Sequence, residues 1–209
     1  MKNDPKDIVR EGYDKIAEQY DEFNTQISNE EELREFISMV KSAGYVLDAG
    51  CGTGRVARFL VDSGFQVTGI DISPKMLDLA KHRVPEATFE IGDMTTLQYE
   101  DDSFDGVVST YAVFHVPRMK HFALFQDFRR ILKTGGVLLF SIGNHPEGSD
   151  SVWEWDEFQS VLMYSSYYGP EKSIELLKST DFEIVFTRKV EIVFAGNPET
   201  HFWILARAK

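Results

Sequence analysis

The 209-residue chain has a single cysteine, Cys51, which excludes an internal disulfide and any cysteine-based metal cluster. So sparing a use of thiols suits a reducing compartment, and the cytoplasm is the expected location. Long apolar runs are also missing, and the opening MKNDPKDIVREGYD is too polar for a secretory signal, so no membrane partner is expected. Positive charge is scarce: 22 Lys and Arg stand against 34 Asp and Glu, a formal net charge of −12. That balance disfavours a nucleic-acid partner. The densest basic stretch, Phe128–Lys133, reads as the exposed face and C-terminal end of a helix. No metal-ligand cluster is visible, so no metal is expected. Repeats and low-complexity linkers are absent too, and what remains is a chain with 43% hydrophobic residues, enough for one domain spanning 1–209.

Two N-terminal helices are predicted over 5–23 and 29–42, with Ser28 and Glu31 placed to form a capping box for the second. Strand and helix then alternate. Strands are expected at Tyr45–Asp48, Gln66–Asp71, Thr88–Gly92, Phe104–Thr110 and Gly136–Ile142, and helices at Arg55–Ser63, Pro74–Val84 and Met119–Leu132. Ser73-Pro74 is a helix start, and Gly135-Gly136 ends a helix. Runs such as VLLF after Gly136 are apolar on both faces, which implies a parallel sheet covered by helices. A helix at Glu171–Ser179, strands at Glu183–Val193 and His201–Ala208, and an intervening AGNPET loop complete the chain.

The stretch YVLDAGCGTGRVARFL joins a strand to a helix through Gly50, Gly52 and Gly54, a turn bare enough for a ligand to approach the backbone. A phosphate-cradling P-loop would need Gly-Lys-Ser/Thr where Gly54-Arg55-Val56 stands. The dinucleotide fingerprint fails as well, because its third glycine falls on Arg55. S-adenosylmethionine (SAM) carries no phosphate and needs only a bare turn and a carboxylate for its ribose. Asp71, ending the second strand 17 residues after Gly54, can accept both ribose hydroxyls. Asp93, after the third strand, suits an adenine amino group, with Met94 beside it. Thr110 closes the fourth strand, and all these positions lie at carboxyl ends of strands, where open α/β sheets bind ligands.

With VLDAGCGTGRVA, VTGIDISPKML, FEIGDMTTL, FDGVVSTYAVFHV and LKTGGVLLFSI in this order, the chain resembles the class I SAM-dependent methyltransferases. It is most similar to the small-molecule group of ubiquinone-biosynthesis type. The resemblance implies a Rossmann-like, doubly wound α/β fold with a seven-stranded sheet, mostly parallel with the last strand antiparallel, plus the N-terminal helices. It implies SAM as cofactor, with contacts from Asp48, Ala49, Gly50, Cys51, Gly52, Gly54, Asp71, Ile72, Met76, Asp93, Met94 and Thr110, and a small molecule as methyl acceptor. A SAM-binding protein without turnover, or a nucleotide-dependent oxidoreductase, stands as the alternative.

Each candidate has a plainer reading beside it. Met76 has core spacing on its helix, Arg55 is either a ligand for the SAM carboxylate or an exposed first-turn residue, and Cys51 reads as a packing group. Tyr13 and Tyr20 lie two helical turns apart on one face, either packing on the sheet or forming part of a lid (1–43) over SAM. His115, in VFHVP, is the candidate general base or a structural histidine, with His145 a second candidate. The segment 145–170 is rich in rings, including Trp153, Trp155, Phe158, Tyr164, Tyr167 and Tyr168. It is expected to cover the substrate, with Tyr13, Trp153, Tyr164 and Tyr167 as contacts for a flat, apolar or cationic acceptor.

Overall fold

The computed structural model describes residues 4–24, 29–158, 160–194 and 197–209. Helices α1 (Pro5–Asn24) and α2 (Glu30–Met39) precede β1 (Tyr45–Ala49), α3 (Arg55–Asp62), β2 (Gln66–Asp71), α4 (Pro74–Arg83), β3 (Thr88–Ile91) and β4 (Phe104–Ser109). Then come α5 (His121–Ile131), β5 (Leu132–Gly143), β6 (Ser149–Trp155), β7 (Val161–Tyr167), α6 (Pro170–Ser179), β8 (Phe182–Phe194) and β9 (Asn197–Ala208). Seven strands form one sheet in the order β3-β2-β1-β4-β5-β9-β8. The pairs β1–β2, β1–β4, β2–β3 and β4–β5 are parallel, while β9 runs antiparallel to both β5 and β8. The last strand is thus inserted antiparallel, as the resemblance implied. The chain winds outward in opposite directions from β1 and β4, which opens a crevice beyond their carboxyl ends.

The apolar strands are buried on both faces, as their composition required. Every residue of β4 is buried, as is β5 from Gly136's neighbour Val137 through Ile142. One face packs against Leu124, Phe125 and Phe128 of α5 and Leu177 of α6, the other against Phe36 of α2, Leu60 of α3 and Leu77 of α4. Each such ring or branched chain stabilises the fold by about 1.5–3 kcal/mol on burial. Ser73 caps α4 by accepting from the Met76 amide at 3.1 Å, with Pro74 in the first turn.

Several local expectations change. Residues 118–120 form a separate short turn, so α5 starts later than the periodicity indicated, and Leu132 already belongs to β5. Gly135-Gly136 sits within β5, where its pairing with β4 shifts register between Phe104 and Gly106. Asn29 is the N-cap position of α2 and makes no side-chain cap bond; Ser28, the expected cap, lies outside the described residues. Of the expected AGNPET loop, Asn197–Thr200 pair within the β8–β9 ladder, and 195–196 lie outside the described residues. The aromatic segment folds into the antiparallel hairpin β6–β7, whose Trp155, Val161 and Met163 pack with Phe158 on Ile16, Tyr13 and Tyr20 of α1. Gly12 permits that approach, since a Cβ there would lie 2.9 Å from the Leu162 carbonyl oxygen. Among the described residues, no helix is long and apolar enough to cross a membrane.

Candidate active site

The crevice at the switch point holds a cleft of about 930 Å³, open to solvent. Gly50, Gly52, Asp71, Ile72, Met76, Asp93, Met94 and Thr110 line it from the sheet side, and Tyr13 and Tyr20 from α1. Asp48, Ala49, Cys51, Gly54 and Arg55 do not line it. The turn after β1 is tied to β2, with the amides of Gly50 and Cys51 both donating to the Ile70 carbonyl at 2.8 and 3.0 Å. Gly50 needs to be glycine twice over: its φ is +79°, and a Cβ would lie 2.4 Å from that of Ala112. At Gly52, also at positive φ, a Cβ would meet nothing within 4 Å, so the bare backbone faces open space.

Asp71 is held by two amides. Gly52 N–H donates to its Oδ2 and Ser73 N–H to its Oδ1, each at 2.9 Å, which fixes the carboxylate and leaves a lone pair on each oxygen. Burial raises its pKa, and these amide bonds counter the rise. Asp93 behaves oppositely. Burial would raise its pKa, but hydrogen bonds from the Thr95 amide and hydroxyl, with the Lys6 ammonium at 3.2 Å, outweigh that and hold it below the usual range.

Asp48 departs from the expectation of a ligand contact. It lies beneath the turn, fully buried, with neither carboxylate oxygen hydrogen-bonded. Burial and, secondarily, the nearby Asp71 push its pKa up to about 8. Cys51 is buried as a packing group, and its thiol is pushed up by burial and then by Asp48 and Asp71. Arg55 has a buried Nη1 without a partner, and burial pulls its pKa down, with Arg83 adding to the effect.

Helix α1 straps three of the strand-end loops together. Lys6 pairs with Asp93 after β3. Asp14 accepts from the Ser73 hydroxyl at 2.6 Å after β2. Asp21 accepts from Thr53 after β1 and from Arg83 at 2.7 Å. The sequence pattern gave no signal for these contacts, because charged residues on an amphipathic helix read as its solvated face.

A second cavity, about 960 Å³, adjoins the first and is lined by Phe114, Trp153, Trp155 and Tyr167, with Glu199 and His201 from β9. Tyr13, Tyr20, Tyr111 and His115 line both cavities and form their common wall. Trp153 and Tyr167, expected as acceptor contacts, line this second cavity. Tyr164 does not; its hydroxyl donates to Asp150 and its carbonyl faces His115. His145 also lines neither cavity. Tyr111 was expected only as part of the ligand-facing stretch Thr110-Tyr111-Ala112 after the fourth strand, and Phe114, Glu199 and His201 were not foreseen.

His115 has a defined tautomer. Nδ1 lies 2.6 Å from the Tyr164 carbonyl, which can only accept, so Nδ1 carries the hydrogen. Nε2 is then the acceptor, and the Tyr13 hydroxyl donates to it at 2.9 Å. Burial lowers the pKa of His115 to about 4, with the Tyr164 bond opposing, so the ring is neutral near pH 7. Burial, and then Tyr20 and Asp71, raise Tyr13, while burial and Asp71 raise Tyr20 to about 12, so both stay protonated phenols.

A bare turn after β1, an amide-held acid at the end of β2 and a second acid after β3, set around a switch-point cleft, make a Rossmann-like site suited to a nucleoside. Residues 46–136 match the family described as methyltransferase domain. It is 32% identical over 145 residues to a demethylmenaquinone methyltransferase of Tropheryma whipplei, covering 66% of this chain and 60% of that one. It is 41% identical over 124 residues to a 2-methyl-6-phytyl-1,4-hydroquinone methyltransferase of Synechocystis, covering 56% and 38%. The chain thus spans about three fifths or less of the curated relatives named here. A SAM-dependent methyltransferase of Methanosarcina mazei superposes with a TM-score of 0.72 at 22% identity, over 82% of this chain and 95% of that one, and shares its fold.

Proposed function

We propose that the chain is a SAM-dependent methyltransferase acting on a small, flat, hydroxylated aromatic ring of hydroquinone type. The observation that carries this is the common wall: a nucleoside-type cleft and a ring-lined cavity meet at Tyr13, Tyr20, Tyr111 and His115. The residues fit the cofactor. The open space at Gly52 admits the methionine end, the free lone pairs of Asp71 suit two ribose hydroxyls, and Asp93 with Met94 flanks the adenine position. Asp48 is buried and lines neither cavity. Bound SAM supplies a methyl group already activated on a sulfonium.

The protein's own task is alignment, bringing an acceptor atom to about 3–3.5 Å from the methyl carbon. Phe114, Trp153, Trp155 and Tyr167 hold the ring by stacking and exclude water from it. Helix α1 roofs the cleft with Tyr13 and Tyr20. His115 is a weak base, yet it suffices for a hydroxyl whose proton becomes strongly acidic as the new bond forms; Nε2 takes that proton once the acceptor displaces the Tyr13 hydroxyl. One relative is named for a quinone and the other for a hydroquinone, and the aromatic lining is consistent with a ring of that type.

Titration calorimetry with SAM, S-adenosylhomocysteine and NAD, followed by labelled-methyl transfer to hydroquinones and to a metabolite extract, tests the proposal. Binding of the first two ligands and transfer to a hydroquinone are expected. NAD binding in their place would overturn the cofactor assignment, and binding without transfer to anything in the extract would leave a pure SAM-binding protein.

A further inference from the structure

Thr53, Asp21 and Arg83 form a closed triangle of hydrogen bonds, and none of the three lines either cavity. Arg83 Nη1 donates to the Thr53 hydroxyl at 2.7 Å, that hydroxyl donates to Asp21 Oδ1, and Arg83 Nη2 donates to Asp21 Oδ2 at 2.7 Å. Arg83 Nη1 also donates to the Thr53 carbonyl. Every one of these bonds has a charged partner, which strengthens it over a neutral one. Thr53 is buried, and the Arg83 and Asp21 side chains are mostly so. Burial would raise the pKa of Asp21, but the bonds from Arg83 and Thr53 outweigh that and hold it below the usual range.

The triangle joins three elements. Thr53 stands between Gly52 and Gly54 in the turn after β1, Arg83 ends α4, and Asp21 lies in the last turn of α1. Gly52 donates its amide to Asp71, and both line the cleft, so a ligand seated on them bears on Thr53 one residue further on. Gly54 seats the turn against α4, since a Cβ there would lie 3.1 Å from Ala80, one helical turn before Arg83. The apolar face of α1 packs elsewhere. Ile16, Tyr13 and Tyr20 share a cluster with Trp155, Phe158, Val161 and Met163, separate from the two clusters that cover the sheet. Tyr20, next to Asp21, meets Trp155 with ring centroids 6.0 Å apart. Helix α1 thus grips the β6–β7 hairpin by apolar packing and the strand-end loops by polar side chains. No residue of β6 or β7 lines the cleft, whereas Trp153, Trp155, Ser165 and Tyr167 line the ring-lined cavity.

Resting on the methyltransferase reading above, we propose that Arg83 is a positioning residue that, through Thr53 and Asp21, latches α1 onto the occupied glycine turn, and that α1 and the β6–β7 hairpin close with it as one lid over both cavities. A cofactor in the cleft thereby orders the hairpin wall of the acceptor cavity, which it does not touch. Arg83 acts on the acceptor side from outside both cavities, through the triangle and the shared α1–hairpin core.

The test measures amide hydrogen exchange by mass spectrometry on the full chain, with and without S-adenosylhomocysteine, and its affinity by calorimetry. In the wild type, bound S-adenosylhomocysteine should slow exchange in α1 and in residues 149–167 together. Arg83→Gln and the milder Asp21→Asn should each bind it about tenfold less tightly, and the double variant no more weakly than either single one. With the ligand raised to full occupancy, both variants should lose the slowing in α1 and the hairpin, while β4 and β5 exchange as in the wild type. Wild-type hairpin exchange that ignores the bound ligand would overturn the proposal. So would variants that keep the slowing, or faster exchange spread equally over β4 and β5, which would mark the triangle as general structural support. Failure of the methyltransferase reading shows separately, as absent binding of S-adenosylhomocysteine to the wild type, and it takes the latch with it.

Discussion

Replacing Asp48 by asparagine should alter how the stability of this chain depends on pH. The carboxyl is fully buried with both oxygens unpartnered, and burial lifts its pKa from 3.8 to about 8. The folded state therefore favours the neutral acid. Its contribution is complete below about pH 4 and is lost as pH climbs through the folded value near 8. By pH 7, roughly three pH units of mismatch at about 1.4 kcal/mol each amount to about 4 kcal/mol. Asparagine does not titrate. At pH 4 it resembles the neutral acid, apart from about 1–3 kcal/mol for its unmet amide hydrogens. Urea unfolding of both proteins at pH 4.5, 6, 7 and 8 gives the difference directly, and every other titrating group largely cancels in it. The stability of Asp48→Asn minus wild type should rise by several kcal/mol from the lowest pH to the highest. A difference flat to within roughly 0.5 kcal/mol would mean that the carboxyl finds partners or water in solution and that the burial argument fails.

Asp71→Ala removes the carboxylate that the Gly52 and Ser73 amides orient, and SAM affinity by calorimetry should fall at least tenfold; affinity within about twofold of wild type refutes the ribose assignment. Gly50→Ala places a methyl 2.4 Å from the Ala112 Cβ at a φ of +79°, so both thermal stability and SAM binding should drop, and a variant matching wild type in both would show that the turn is not fixed. His115→Ala should lower turnover by about a hundredfold or more with little change in SAM affinity. The acid limb of kcat/KM in the wild type should lie near pH 4, not 6.5, because burial depresses this histidine; unchanged turnover would remove it as the base.

The strand ends and the cleft they frame were legible for a local reason. Glycines at Gly50 and Gly52 set the conformation of their own turn, Ser73-Pro74 starts its own helix, and the apolar runs of β4 and β5 state that both faces are covered. Asp71 closes β2 and Asp93 lies two residues past β3, and a carboxylate at such a strand end keeps its place whatever packs above it, so both were placed at the cleft from spacing alone. Asp48 shows the limit: one residue earlier in β1, the same residue type turns under the loop and loses contact with the cleft. The β6–β7 hairpin was hidden because closely spaced aromatic residues suit a strand, a helix or a loop alike.

What the sequence determined by itself was the order of elements, the bare turn and the acids at successive strand ends, since each depends on backbone sterics and hydrogen bonds within a few residues. Only the tertiary structure decided which distant groups meet. Inserting β9 antiparallel beside β5 reverses its direction and delivers Glu199 and His201 to the end of the sheet where His115 emerges. Laying α1 across three loops turns Lys6, Asp14 and Asp21 from a solvated helix face into a strap. Both outcomes depend on sheet register and packing between segments far apart in the chain, which no local pattern encodes.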